Sequence, residues 1–244
     1  MQIAQATSST ITNLWTQVEA DIQQAQTMED AAQKLATALH SQFEASVVLA
    51  RVYTTVPFEM LPPANQYLVR VLAGDATDLK DTTPVLSLIG THGQEDDWNS
   101  RHNSQGHAGI PLISAAFVGA IPMIARLLHE LGVPSDWVDS HDTEMIIETI
   151  GHTAGLFFVD NAAEATDAQG RKIIVAQDFV STYNVQSVFG TGGAYLDTGQ
   201  MLVIVVFCRD RFARDIAERF LPLTSLFQNK TATLVGTQNI FTDG

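Results

Sequence analysis

The densest run of chemically capable side chains lies between residues 90 and 112: Gly90-Thr-His-Gly93, Trp98-Asn-Ser-Arg101, Ser104-Gln-Gly-His107 and Ile110-Pro-Leu112. Trp98 offers a planar stacking face, Asn99 amide hydrogen bonds, and Arg101 a fork that matches a carboxylate or phosphate in two parallel bonds. His107 is the side chain type suited to proton transfer near neutral pH. The competing reading is that these groups knit a long loop to itself, with Arg101 paired to Asp96 or Asp97. A second segment, residues 183–189, adds Tyr183 and Ser187. Ligand sites are mostly apolar clefts with a few convergent polar groups. If the two segments face one cavity, Phe117 and Tyr183 form its apolar wall and Arg101, His107 and Ser187 its polar contacts. The candidate site is therefore Trp98, Arg101, His107, Phe117, Tyr183 and Ser187, for a small molecule carrying an anionic group.

Other chemistries find less support. There is no G-x-x-x-x-G-K-[ST] phosphate loop and no G-x-S-x-G nucleophile elbow. Gly190-Thr-Gly-Gly193 is glycine-rich, but it lies within a strand rather than opening a helix, which suits a bulge or a close backbone approach. His92, His102 and His107, with Glu95, Asp96 and Asp97, lack the helical H-x-x-x-H spacing of a metal site, so no metal is expected. His129, beside Glu130, reads as solvent-facing rather than as a heme ligand. The single cysteine, Cys208, ends the apolar run Met201-Leu-Val-Ile-Val-Val-Phe-Cys208, where a thiol is buried and has poor access. It excludes an internal disulfide and any multi-cysteine cluster. Arg101 and His107 could polarise a substrate and move a proton, but no nucleophile can be placed beside them. The expectation is a non-enzymatic protein without a cofactor.

Of 244 residues, 13 are Lys or Arg and 27 Asp or Glu, a formal charge of −14. An apolar content of 45% with 16% charged residues supports a real core and excludes a disordered chain. A pI near 4.7 argues against nucleic-acid binding and against docking on an anionic membrane, both of which need a basic face. No basic n-region or apolar h-region opens the chain, and the longest apolar run is far short of a membrane span. A cytoplasmic location is expected.

Apolar spacing sets the elements that would position the site. Ile11, Leu14, Val18, Ile22 and Ala25 form one helical stripe, and Met28, Ala32, Leu35, Leu39 and Phe43 a second behind the cap Thr27. With no partner obvious in sequence, the first stripe and that of the last helix are expected to make a homodimer. Strands are predicted from Val47, Val85, Ile110 and Leu156, and helices over 64–73, 122–131, 143–150 and 173–183. A hairpin joins 186–189 to 201–207 through Asp197-Thr-Gly199. A last helix runs from about Arg211 through Phe212, Ile216, Phe220, Leu223 and Phe227, bent at Pro222. The pattern predicts one α+β domain, a mostly antiparallel sheet with helices packed on it, over 46–235. Residues 1–45 are a helical extension and 236–244 a tail.

The blocks Gly90, Thr91, Gly93, Trp98, Asn99, Arg101, Ser104, Gly106, His107, Ile110, Pro111 and Leu112, then Ile121 to Ile124 and Leu127 to Val133, resemble a GAF-like sensory domain of bacterial signalling proteins. So does Phe179-Val-Ser-Thr-Tyr-Asn-Val-Gln-Ser-Val-Phe-Gly-Thr-Gly-Gly193, and the likeness covers about residues 46–232. The resemblance implies a central antiparallel sheet with a small-molecule pocket on one face and dimerisation through terminal helices. It implies a sensory module, either ligand-binding or a pure interaction domain. Family members usually precede a histidine kinase or cyclase; the resemblance therefore implies either a stand-alone sensor, with a separate histidine kinase or cyclase as partner, or a piece of a longer chain. Bilin attachment would need an accessible cysteine, and Cys208 does not qualify. The cysteines of the methionine-sulfoxide-reducing branch are absent.

Overall fold

The computed structural model describes residues 1–74, 78–104 and 106–242. Two helices, α1 (Ser8–Gln23) and α2 (Met28–Gln42), open the chain, each capped by a threonine, Thr7 and Thr27, whose hydroxyl accepts from the third backbone N–H of the helix. The sheet follows: β1 (Val47–Pro57), helix α3 (Pro63–Ala73), β2 (Pro84–Gly93) and β3 (Gly109–Pro111). Four helices form the crossover, α4 (Ala115–Gly119), α5 (Pro122–Leu131), α6 (Ser135–Ser140) and α7 (Thr143–Ile150). Then come β4 (Gly155–Val159), α8 (Gln177–Thr182), β5 (Ser187–Ala194), β6 (Met201–Cys208), α9 (Arg214–Glu218) and α10 (Leu221–Gly236). The strand order is β3-β2-β1-β6-β5-β4, with every neighbouring pair antiparallel. The α+β architecture expected from the periodicities is the one observed.

Alternation, broken on β1 where Val48 and Leu49 join the same core at an irregularity, divides the apolar side chains between two faces. On β6, Leu202, Ile204, Val206 and Cys208 join a core with α1, α2 and α10, while Met201, Val203, Val205 and Phe207 join a second core under α5. On β1, Ala50 and Val52 face the first core, and Leu49 and Tyr53 the second. Glycine makes the first packing close: a Cβ on Gly90 would overlap the Ala32 carbonyl of α2.

Three expectations change. The stripe of Ile11, Leu14 and Val18 is not free for a dimer partner, because these residues are 2%, 2% and 7% exposed within one chain, in the core that α2 and α10 share. Proline also does more than bend the last helix. It lacks an N–H and its ring clashes with the carbonyl four residues back, so the helix stops at Glu218 and restarts with Pro222 in the first turn of α10. The helix predicted over 173–183 is confined to α8; Gln177 ties down residues 173–176 instead, its side chain donating to the Ile174 and Ala162 carbonyls. Among the described residues, no helix is long and apolar enough to cross a membrane.

Candidate functional site

The face of the sheet away from α1, α2 and α10 carries a cavity of about 270 Å³. Its floor is Leu49 and Arg51 of β1 with Phe207 of β6. Its walls are the loop 94–108, which brings Trp98, Gly106 and His107, and residues 173–176 with Phe179 of α8. Ile121 and Met123, at the start of α5, close another side. A smaller pocket of about 30 Å³ also borders Arg51, His107, Met123 and Phe207, and reaches inward to Tyr53 and Leu127.

The loop 94–108 is held in place by its own motif residues. A Cβ on Gly93 would stand 2.7 Å from Trp98 Cε3, so glycine lets the indole lie against the end of β2. The Gly93 N–H donates to Asn99 Oδ1 at 3.0 Å. Trp98 meets the ring of Tyr183 at 4.7 Å and that of Phe179 at 5.6 Å, both edge-on, and Phe179 meets Phe207 at 5.5 Å. These rings join the two motif blocks beside the cavity, whose lining includes Trp98, Phe179 and Phe207. Gly106 and His107 follow with φ of 74° and 53°, and the left-handed pair turns His107 onto the wall.

Arg51 was not singled out from the sequence. It lies on β1 opposite Val205 and Thr91, is 7% exposed, and has only neutral partners. Its Nη2 donates to Ser104 Oγ at 2.7 Å, and its Nη1 to the Gly106 carbonyl at 3.2 Å and the Tyr53 hydroxyl at 3.3 Å. Its Nε–H has no acceptor among the described residues. The one available signal was a charged residue inside the apolar, β-branched run Val47-Val-Leu-Ala-Arg-Val-Tyr53, where arginine is buried only with a purpose. Burial, reinforced by the Arg51 charge, holds the His107 imidazole below its ordinary pKa and hence neutral near pH 7.

Of the residues expected to form the site, Trp98 and His107 line the cavity, and Tyr183 is outside the lining with its ring against Trp98. Arg101 does not line it. Its guanidinium turns the other way, with Nε 2.7 Å from Glu29 Oε1 on α2 and its plane over the Phe241 ring. The pairing with Asp96 or Asp97 considered above is replaced by this longer-range one. Phe117 is half-buried on α4, away from the cavity lining, and Ser187 is buried with its hydroxyl donating to the Asp160 carbonyl at 3.3 Å. Arg101 and His107 therefore do not share a cavity, as the enzymatic reading requires. Cys208 belongs to the opposite face of the sheet, and its burial pushes the thiol pKa up. No cluster of metal-ligating side chains occurs among the described residues.

No family model and no curated protein matches this sequence. Solved structures do match. The phycoerythrobilin-bound GAF domain of a cyanobacterial phytochrome is 11% identical, with a TM-score of 0.50 over 93% of this chain and 97% of that one. A phycocyanobilin-bound GAF domain, also from a cyanobacterial phytochrome, is 11% identical at a TM-score of 0.49, covering 92% and 94% of the two chains. The GAF domain of an Acinetobacter phosphoenolpyruvate-protein phosphotransferase is 12% identical at 0.47, covering 94% and 98%. At this identity the first match establishes shared architecture rather than shared chemistry. With its six antiparallel strands, helices on both faces and loop-walled cavity, the chain has a GAF-like fold.

Proposed function

We propose that this protein is a sensory module that binds a small molecule in the cavity between the sheet and the loop 94–108, without catalysing its conversion. One observation carries this reading. The cavity is walled largely by apolar and aromatic side chains, yet it contains a buried arginine whose Nε–H has no acceptor among the described residues, beside a neutral histidine. A volume of about 270 Å³ suits a compact metabolite. Apart from the short 3-10 turn Asp96–Asn99, the described residues of the loop and residues 173–176 are irregular segments whose position an occupant would fix, which is how occupancy becomes a signal.

The test is entry of a neutral apolar dye, N-phenyl-1-naphthylamine, followed by its fluorescence. Bright emission that Ala176→Trp abolishes, with the fold intact by circular dichroism, supports the cavity as a site. Emission unchanged by that substitution overturns it.

A second reading, assembly with another copy of this chain, is favoured by α3. Tyr67 and Val71 are 68% and 62% exposed and stand one turn apart, flanked by exposed Leu68 and Leu72. A dimer in light scattering that Val71→Glu dissociates supports this reading; a monomer at micromolar concentration overturns it.

A further inference from the structure

A buried guanidinium is costly unless a negative charge or a full set of acceptors compensates it. In this chain acids outnumber Lys and Arg by 27 to 13, so a carboxylate partner for Arg51 would be easy to supply. None is supplied. No described carboxylate lines the cavity, and each of the three hydrogen bonds of Arg51 goes to a neutral oxygen. A guanidinium has five N–H groups, so two remain after these three. The other buried arginine of the loop region, Arg101, shows the contrast, because it does have its acid, Glu29.

We infer that the cavity is selective for a small monocarboxylate with an apolar body, its carboxylate paired with Arg51 and hydrogen-bonded by His107. The inference rests on the cavity being a small-molecule site and names the class it takes. One cation and one neutral imidazole match a single negative charge; the second charge of a phosphate monoester would find no partner on these walls. Leu49, Met123, Phe179 and Phe207 receive the apolar body, and Trp98 supplies a ring face over it.

The experiment compares acids with their isosteric amides on the full chain by calorimetry. The pairs are phenylacetate with phenylacetamide, and indole-3-acetate with indole-3-acetamide. The acid of each pair is expected to bind about 10- to 100-fold more tightly, the range for a charge-assisted hydrogen-bonded pair. Arg51→Met removes the charge at similar volume. It should erase the preference while dye entry persists, and its midpoint of unfolding should not fall, since an unpaired buried charge has been removed. Arg51→Lys should keep a smaller preference for the acid. Equal affinity for acid and amide overturns the inference without needing any variant. So does inorganic phosphate displacing the dye at lower concentration than either acid. Absence of acid binding while the dye still enters overturns the inference and leaves the small-molecule reading standing. Failure of the dye to enter removes both.

Discussion

Arg101 Nε lies 2.7 Å from Glu29 Oε1, joining the loop that walls the cavity to the helix on the opposite side of β2. Glu29 also accepts from the Thr242 N–H at 2.9 Å and lies 3.3 Å from His102 Nε2. Burial pushes the Glu29 carboxyl pKa up. The hydrogen bonds from Arg101 and Thr242 and the charges of Arg101 and His102 outweigh it and hold the group below its ordinary value. One carboxylate thus fastens the loop and the end of the chain to α2.

Arg101→Ala should therefore cost stability and spare the cavity. Truncating one partner of a buried ion pair costs about 3–5 kcal/mol, and the lower figure applies because Glu29 keeps the Thr242 N–H and His102. For a chain of this size that is a fall of roughly 6–12 °C in Tm. Calorimetry should show the lowered midpoint together with dye entry close to that of the parent. Lost entry at an unchanged midpoint would return Arg101 to the binding site.

Leu14→Ala should destabilise the single chain rather than dissolve an assembly. Leu14 is 2% exposed in the core between α1, α2 and α10, so truncation leaves a cavity costing about 2–5 kcal/mol. Urea unfolding measured at two protein concentrations tests this. The loss should be the same at both, whereas a residue at a dimer interface would make it concentration-dependent.

Much of this fold was legible because it obeys short-range rules. Thr27 before Met28, the short apolar, β-branched run 201–208 and Pro122 opening α5 are local signals, and each element formed where they indicated. The Trp98–His107 loop and the segment 183–189 were expected to face one cavity; Tyr183 does meet Trp98, whereas Phe179, the cavity-lining ring beside it, was not singled out from the sequence. The ionic partner of Arg101 was hidden for a physical reason. Ion pairing across 72 residues of sequence, Arg101 to Glu29, leaves no trace in spacing. Arg51, meanwhile, is concealed in a strand whose alternation alone says it faces the cavity. Burial of the α1 stripe was hidden in the same way, because its cover, α10, lies at the other end of the chain.

Cys208 should resist thiol reagents in the native state. Its sulfur is fully buried on the α2 and α10 side of the sheet, and burial together with the nearby Asp210 charge pushes its pKa well up. Iodoacetamide at pH 8 should leave the native chain unmodified and alkylate one site after denaturation. Rapid native labelling would mean that β6 opens far more readily than its core position allows.

Acidification should weaken the protein in two windows whose signs follow from the groups involved. His107, His40 and His92 all have folded pKa values below the ordinary 6.5. Burial is the main cause for each, joined by the Arg51 charge at His107 and by His92 at His40. As pH falls through 6.5, the unfolded chain takes up protons that these folded sites refuse, so stability is full above that pH and declines towards the folded values. Glu29 acts lower down: its contribution is present above 4.5 and is lost as pH falls through its depressed folded value. Urea midpoints between pH 8 and 4 should hold steady to about pH 7 and then fall. His107→Gln should flatten part of the upper decline, because it removes one of the three imidazoles that the folded chain holds below their ordinary pKa. Binding of phenylacetate should run the other way. A carboxylate beside His107 favours the imidazolium, so affinity should rise from pH 8 to 6 in the parent and stay flat in His107→Gln. A parent affinity independent of pH would separate the carboxylate from His107 and leave Arg51 alone to hold it.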